Sequence, residues 1–256
     1  MLLPPDSSAC AEHLERARNA AKKSAYSVAA REFTAAADVC PNREQIFLSV
    51  GQMQFLSGDT PAAERTLRQL GTQQARYALG RIYYEQFRYP EAVEQFKTVI
   101  AAEPDNYRAH DNLGLCYDAL QQDSDALRHF LRALDLVKDR HPDYDWAYAN
   151  LAEFFLKRDQ ADKAFQLAAE AAQRNSSSAR NFYLAGRSLV KLGRDENSLR
   201  WLERAVELDP THAEAQFQLG HALRRLGKID KAKPHLEAFR RLKAREASKP
   251  DRPSRP

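Results

Sequence analysis

The side chains able to do covalent or acid–base chemistry are few, and their spacing does not serve it. Seven histidines, His13, His110, His129, His141, His212, His221 and His235, never fall four apart, so no helix face carries a metal-binding pair. No Gly-x-Ser-x-Gly or Gly-x-x-x-x-Gly-Lys run supplies a nucleophile or a phosphate cradle. Asp143 and Asp145, flanking Tyr144, read as a solvated loop and not as an acid pair. The three cysteines, Cys10, Cys40 and Cys116, have no C-x-x-C spacing and read as small, semi-apolar fillers. Cys10 and Cys40 lie at the two sequence ends of one expected helical hairpin, which meet in space; a disulfide between them is the alternative, open only to an exported chain. The expectation is a chain that is not an enzyme and needs no metal and no cofactor.

Composition then points to helices. The 256 residues include 41 alanines but only 9 glycines, too few for the phosphate-binding loops of an α/β enzyme. With 43% hydrophobic and 29% charged residues and a mean hydropathy of −0.65, the reading is a soluble, all-α chain. The net charge of +4 is misleading, because residues 240–256 hold seven Lys/Arg against Glu246 and Asp251, leaving about −1 for the rest. A nucleic-acid reader should carry its basic stripe on the folded body, so nucleic acid is disfavoured as a partner. No run approaches the roughly 18 apolar residues of a spanning helix, which argues against membrane insertion. The start, Met1-Leu2-Leu3-Pro4-Pro5, has neither a basic segment nor an apolar core; the default location is cytoplasmic, with periplasmic or secreted reserved for a truncated N-terminus.

Laid against itself, the chain repeats. The segment from Gln74 aligns with that from Arg108, 34 residues on, and again around Leu219-Gly220. Extending the frame gives repeats starting near residues 10, 44, 73, 107, 145, 179 and 213, with intervals of 34 except for one of 29 and one of 38. Position eight is always small: Ala17, Gly51, Gly80, Gly114, Ala152, Gly186 and Gly220. So is position twenty: Ala29, Ala63, Ala92, Ala126, Ala164, Ser198 and Ala232. Two antiparallel helices per repeat explain both columns, because a larger side chain at their crossing would force the axes beyond the roughly 8–10 Å of close packing. Large apolar residues fill the layer around the crossing, such as Tyr83 and Tyr117 on first helices and Leu67, Phe96, Phe130, Leu202 and Leu236 on second helices. Gly58-Asp59-Thr60-Pro61 supplies a stop, an N-cap and a first-turn proline, and Pro41, Pro104 and Pro210 close second helices.

This pattern resembles the tetratricopeptide repeat family over residues 10–244. Leu113-Gly114, Tyr117, Ala126, Phe130 and Ala133 form a near-complete motif, and Glu207-Leu208-Asp209-Pro210 looks like the family's repeat ending. The resemblance implies a right-handed α-solenoid of stacked helix pairs with a concave face. Outside it, residues 1–9 are expected as a disordered extension and 245–256 as a basic, proline-rich disordered tail. The last helix is expected to act as a solvating cap, with Lys233, His235, Arg240 and Arg241 turned outward.

Function follows from the same resemblance. It implies a protein–protein interaction scaffold that takes an extended peptide or a partner helix in its groove. Positions two, five, nine and twelve of first helices would line that groove: Tyr77, Arg81, Tyr84, Arg108 and Asp111 in the earlier repeats, then Trp146, Glu153, Arg180, Tyr183, Arg187, Phe217, His221 and Arg224. Asn112 and Asn150, at position six, join them as backbone hydrogen-bonding candidates, although asparagine is the family's common residue there. Rings interleaved with guanidinium groups suit an extended peptide. The Lys/Asn clamp of the family's chaperone-tail site has no counterpart here. Two other classes stay open: a helical-repeat nucleic-acid reader, and a self-associating structural module that forms homo-oligomers.

Overall fold

A computed structural model describes residues 7–248. Among the described residues are fourteen α-helices and no strand, the all-α, paired-helix architecture of a helical solenoid. Backbone packing divides the chain into two compact units between Cys116 and Tyr117. Unit one contains α1 (Ser7–Lys22), α2 (Tyr26–Val39), α3 (Arg43–Leu56), α4 (Thr60–Leu70), α5 (Gln73–Glu85), α6 (Tyr89–Ala102) and most of α7 (Tyr107–Ala119). Unit two contains the end of α7 and α8 (Asp123–Val137), α9 (Trp146–Lys157), α10 (Ala161–Arg174), α11 (Ala179–Lys191), α12 (Asp195–Leu208), α13 (Ala213–Arg225) and α14 (Ile229–Ala247).

The two small-residue columns lie at the helix crossings. A Cβ built on Gly51, Gly80, Gly186 or Gly220 would stand 2.6–2.8 Å from a side-chain carbon of Leu67, Phe96, Leu202 or Leu236, each sixteen residues downstream. That is inside van der Waals contact, so the second helix could not approach as it does. The alanines at 29, 63, 92, 126 and 164 and Ser198 are wholly buried, and Ala232 nearly so. Tyr83, Leu67, Phe96, Phe130 and Leu202 fill the layer around them.

One backbone turn recurs in every helix pair. Ser24, Gly58, Phe87, Gln121, Asp159, Gly193 and Gly227 all adopt left-handed φ, between 57° and 90°. In each case the next residue's N–H donates to the carbonyl five positions back, from Ala25 to Ala20 through Lys228 to Leu223, at 2.9–3.0 Å. This is the Schellman ending, which satisfies carbonyls that the finished helix leaves open. Four of the seven positions carry a side chain at a φ that glycine would hold without strain.

The irregular intervals have local causes. The 11-residue α4 ends at Gly71, and Thr72 immediately caps α5 by accepting from the Ala75 N–H at 3.3 Å. The surplus between α8 and α9 is tied down by Arg174, which donates to the carbonyls of Lys138 (3.1 Å) and Pro142 (3.3 Å) and lies 4.3 Å over the Tyr148 ring.

At the N-terminal end, Cys10 and Cys40 are joined by a disulfide that ties α1 to the residue capping α2. The filler reading therefore fails for this pair. It suits Cys116, which is free and buried, with burial pushing its thiol up to about 12. Around the disulfide, Ala17, Ala29, Phe33, Ala36 and Val50 form a core against which Leu14, Ala20 and Ala21 of α1 rest. Helix α1 begins at Ser7 and α14 runs to Ala247, so residues 7–9 and 245–247 are helical and not disordered. The remainder of the expected extension and tail lies outside the described residues.

Candidate functional site

In unit one the sequence-expected face comes from α5 and α7. The Tyr77 hydroxyl accepts from Asn112 Nδ2 at 3.0 Å, and the same amide nitrogen donates to the Arg108 carbonyl at 2.8 Å. The Tyr77 ring stands edge-on to Phe96 at 5.7 Å, and burial pushes its phenol pKa up against the opposing charges of Arg81 and Arg108. Arg81 meets Glu85 at 3.6 Å, Arg108 lies 5.5 Å over the Tyr107 ring, and Tyr84 leans on Tyr89 at 5.5 Å. Asp111 is only 1% exposed, so it faces the interior instead of lining a groove.

Unit two arranges its first helices differently. On α9, Trp146 is 54% exposed, with the Arg180 guanidinium 5.2 Å above its ring. Arg180 also donates to Glu153 at 2.7 Å and to Asn150 at 2.9 Å. Asn150 is 4% exposed, so this amide holds the arginine and does not reach outward. Burial would raise the Glu153 carboxyl, but the charge and hydrogen bond of Arg180, aided by Lys157 and Arg187, outweigh it and hold Glu153 below the ordinary glutamate value.

Helices α11 and α13 continue this surface. The Tyr183 ring lies 4.6 Å from His212, and burial raises its phenol pKa against the nearby charge of Arg187. Phe217 sits between His221 at 4.1 Å and Phe239 at 4.9 Å. Arg224 contacts His221 Nδ1 at 3.2 Å, while burial and then Arg224 and Arg225 depress that imidazole's pKa. Glu214 is taken by Lys243 at 2.9 Å. Among the described residues, neither Arg187 nor Arg224 has a carboxylate within 4.0 Å.

A charged edge beside this face escaped the motif reading. Lys157 pairs with Asp118 at 2.8 Å, Lys191 with Asp159 at 2.6 Å and Arg225 with Asp195 at 2.6 Å. Arg158 bridges Asp118 and Asp123, both at 2.8 Å. The available signal was a cation recurring at 157, 191 and 225, one repeat apart. On α14, His235 does not turn outward as expected: its Nδ1 meets Gln216 Oε1 at 2.8 Å, and burial lowers its pKa. Among the described residues, no cluster of three or more metal-ligating side chains forms, and no helix is long and apolar enough to cross a membrane.

Paired helices around small-residue crossings, with ring-and-cation faces on their first members, define a helical-repeat protein. Tetratricopeptide repeat models match residues 77–144 and 213–242, and a further model described as a TPR repeat matches 186–227. The chain carries tetratricopeptide repeats over these residues. A TPR repeat-containing protein, YpiA of Bacillus subtilis, is 22% identical over an alignment covering 56% of this chain and 41% of that protein, so the chain spans less than half of that relative's length. Among solved structures, a tetratricopeptide repeat protein from Parabacteroides merdae is 14% identical with a TM-score of 0.66, covering 93% of both chains. The APC/C hetero-tetramer Cut9-Hcn1 gives 0.69 at 17% identity, covering 84% of this chain and 42% of that one. A MamA fragment from Desulfovibrio magneticus gives 0.58 at 19% identity, covering 69% and 97%. These likenesses show the fold. These repeats support a protein-interaction scaffold as the general class of function.

Proposed function

We propose that this chain is a non-enzymatic scaffold whose second unit engages a segment of a partner protein, as an extended peptide or a helix, on the face made by α9, α11 and α13. The observation that carries this reading is Trp146: a large ring left more than half exposed, beside helices that also present Tyr183 and Phe217. Covering such a ring contributes about 1.5–3 kcal/mol, and a ring loses little rotamer freedom when it is covered. The Arg180 guanidinium is already fixed over it by Glu153 and Asn150, so a partner meets a preorganised surface.

Selection of random dodecamer peptides on the immobilised chain, with a counter-selection on Trp146→Ala, tests this. The expected result is a pool whose binding depends on Trp146. A pool that binds the variant equally well, or no pool at all, would move the function away from this face.

A further inference from the structure

We infer that the partner segment of unit two is acidic, and that Arg187 and Arg224 are the groups that read its carboxylates. This rests on the preceding assignment of the α9, α11 and α13 face as a peptide site. The inference comes from which charges the protein has already neutralised. Each carboxylate at this face is occupied: Glu153 by Arg180, Glu214 by Lys243, and Asp118 at its edge by Lys157 and Arg158. Glu153 and Glu214 are both held below the ordinary glutamate pKa, Glu153 by Arg180 acting against burial and Glu214 chiefly by its bond to Lys243, so both stay ionised and saturated.

The cations are not balanced in return. Arg187 bonds the Tyr183 side chain and acts on Glu153 through its charge without pairing with it, and Arg224 contacts His221 on the same helix. Neither meets a carboxylate among the described residues. Arg224 contacts a histidine, whose imidazole is neutral or cationic, so that neighbour supplies no negative charge. A guanidinium offers five donors in a planar fork that fits a carboxylate in bidentate geometry. Two unmatched forks among Trp146, Tyr183 and Phe217 therefore suit a chain that alternates acidic and apolar side chains. They do not suit a nucleic acid, whose binders make on the order of 6–10 phosphate contacts.

The Trp146-dependent peptide pool provides the test. Its members should be enriched in Asp and Glu over the input library and over Trp146-independent binders. For the best binder, measured by fluorescence anisotropy, replacing its acids with amides should weaken binding about tenfold or more. Arg187→Gln with Arg224→Gln should produce the same loss on the acidic peptide and little on its amide counterpart, whereas Arg187→Lys with Arg224→Lys should retain part of the affinity. Circular dichroism melts check that each variant is folded. A Trp146-dependent pool without acid enrichment, or amide and acidic peptides bound equally, overturns the acid reading and leaves the face standing as a peptide site. Absence of any Trp146-dependent pool overturns both. Binding of single-stranded DNA that is abolished by the double Gln variant and falls steeply between about 50 and 200 mM salt would replace the acidic segment with a nucleic acid.

Discussion

In unit one the chemically capable side chains of the first helices close on one another. The Tyr77 hydroxyl is occupied by Asn112, Arg81 leans on Glu85, and a half-buried node joins Glu64 to Arg68 (2.9 Å), Arg88 (2.6 Å) and the Tyr83 hydroxyl (3.1 Å). In unit two the same helix positions leave Trp146 open, and Arg187 and Arg224, like Arg108 of unit one, form no ion pair among the described residues. Both units share one backbone recipe, so the backbone does not decide which of them can bind. On the proposed reading, what separates them is the large ring that unit two leaves uncovered at Trp146. Unit one also carries the covalent tie, the Cys10–Cys40 bond, and reads as the structural half of this comparison.

The largest effect should come from removing that tie. Helix α1 docks through small residues, with Leu14 its one large aliphatic contact with the core, so the disulfide supplies much of its hold. A cross-link between residues 30 apart contributes roughly 3–4 kcal/mol by the loop-entropy estimate. Reduction, or Cys40→Ala, should lower the stability of unit one by about that amount. Hydrogen exchange should show α1 and α2 losing protection while α9 to α13 keep theirs; equal loss in both units would mean that the units are not energetically separate.

In unit two the corresponding test is steric. Gly186→Leu places a side chain where even a Cβ would stand 2.6 Å from Leu202 Cγ and 3.2 Å from the Leu202 backbone nitrogen. Overpacking of this kind costs about 2–3 kcal/mol, read as a lower urea midpoint. A variant as stable as the parent would contradict the crossing geometry. A smaller effect concerns Glu153. Its folded pKa lies below its unfolded one, so its pairing stabilises the fold above the ordinary value of 4.5 and that contribution is lost as pH falls from there through the folded value. Because the pair is about a third exposed, solvent screening keeps the effect under about 1 kcal/mol. Glu153→Gln should flatten the acid limb of a stability–pH curve; an unchanged limb would place the acid sensitivity elsewhere.

The helix pairs were legible in the sequence because the crossing tolerates only small residues, and Gly51, Gly80, Gly186 and Gly220 record that constraint directly. The face was only partly legible. Asp111 and Asn150 satisfy the motif by position yet are buried in the folded chain, which no spacing rule states. Lys243 reaches Glu214 from a second helix, a contact between elements that motif positions on first helices do not describe. The disulfide stayed open because spacing brought the cysteines together without stating the redox compartment.

The least legible feature was the shared turn, and it gives the smallest predicted effect. Gly58, Gly193 and Gly227 advertise a left-handed residue, but Ser24, Phe87, Gln121 and Asp159 adopt the same conformation in the other pairs without doing so. If the backbone recipe is common to both units, the strain at these four positions belongs to the turn and not to either unit's surface chemistry. Gln121 is the cleanest place to measure it, because its side chain is exposed and its φ is 58°. Replacing it with glycine removes the Cβ strain of roughly 1–2 kcal/mol while adding a smaller unfolded-state entropy, for a net gain of about 0.5–1 kcal/mol. At Phe87 the same change also removes a ring 6.2 Å from Tyr89, so the two contributions should nearly cancel. Urea midpoints for Gln121→Gly and Phe87→Gly, measured together, separate strain from packing. A Gln121→Gly variant less stable than the parent would show that the turn is held by something other than the left-handed geometry common to both units.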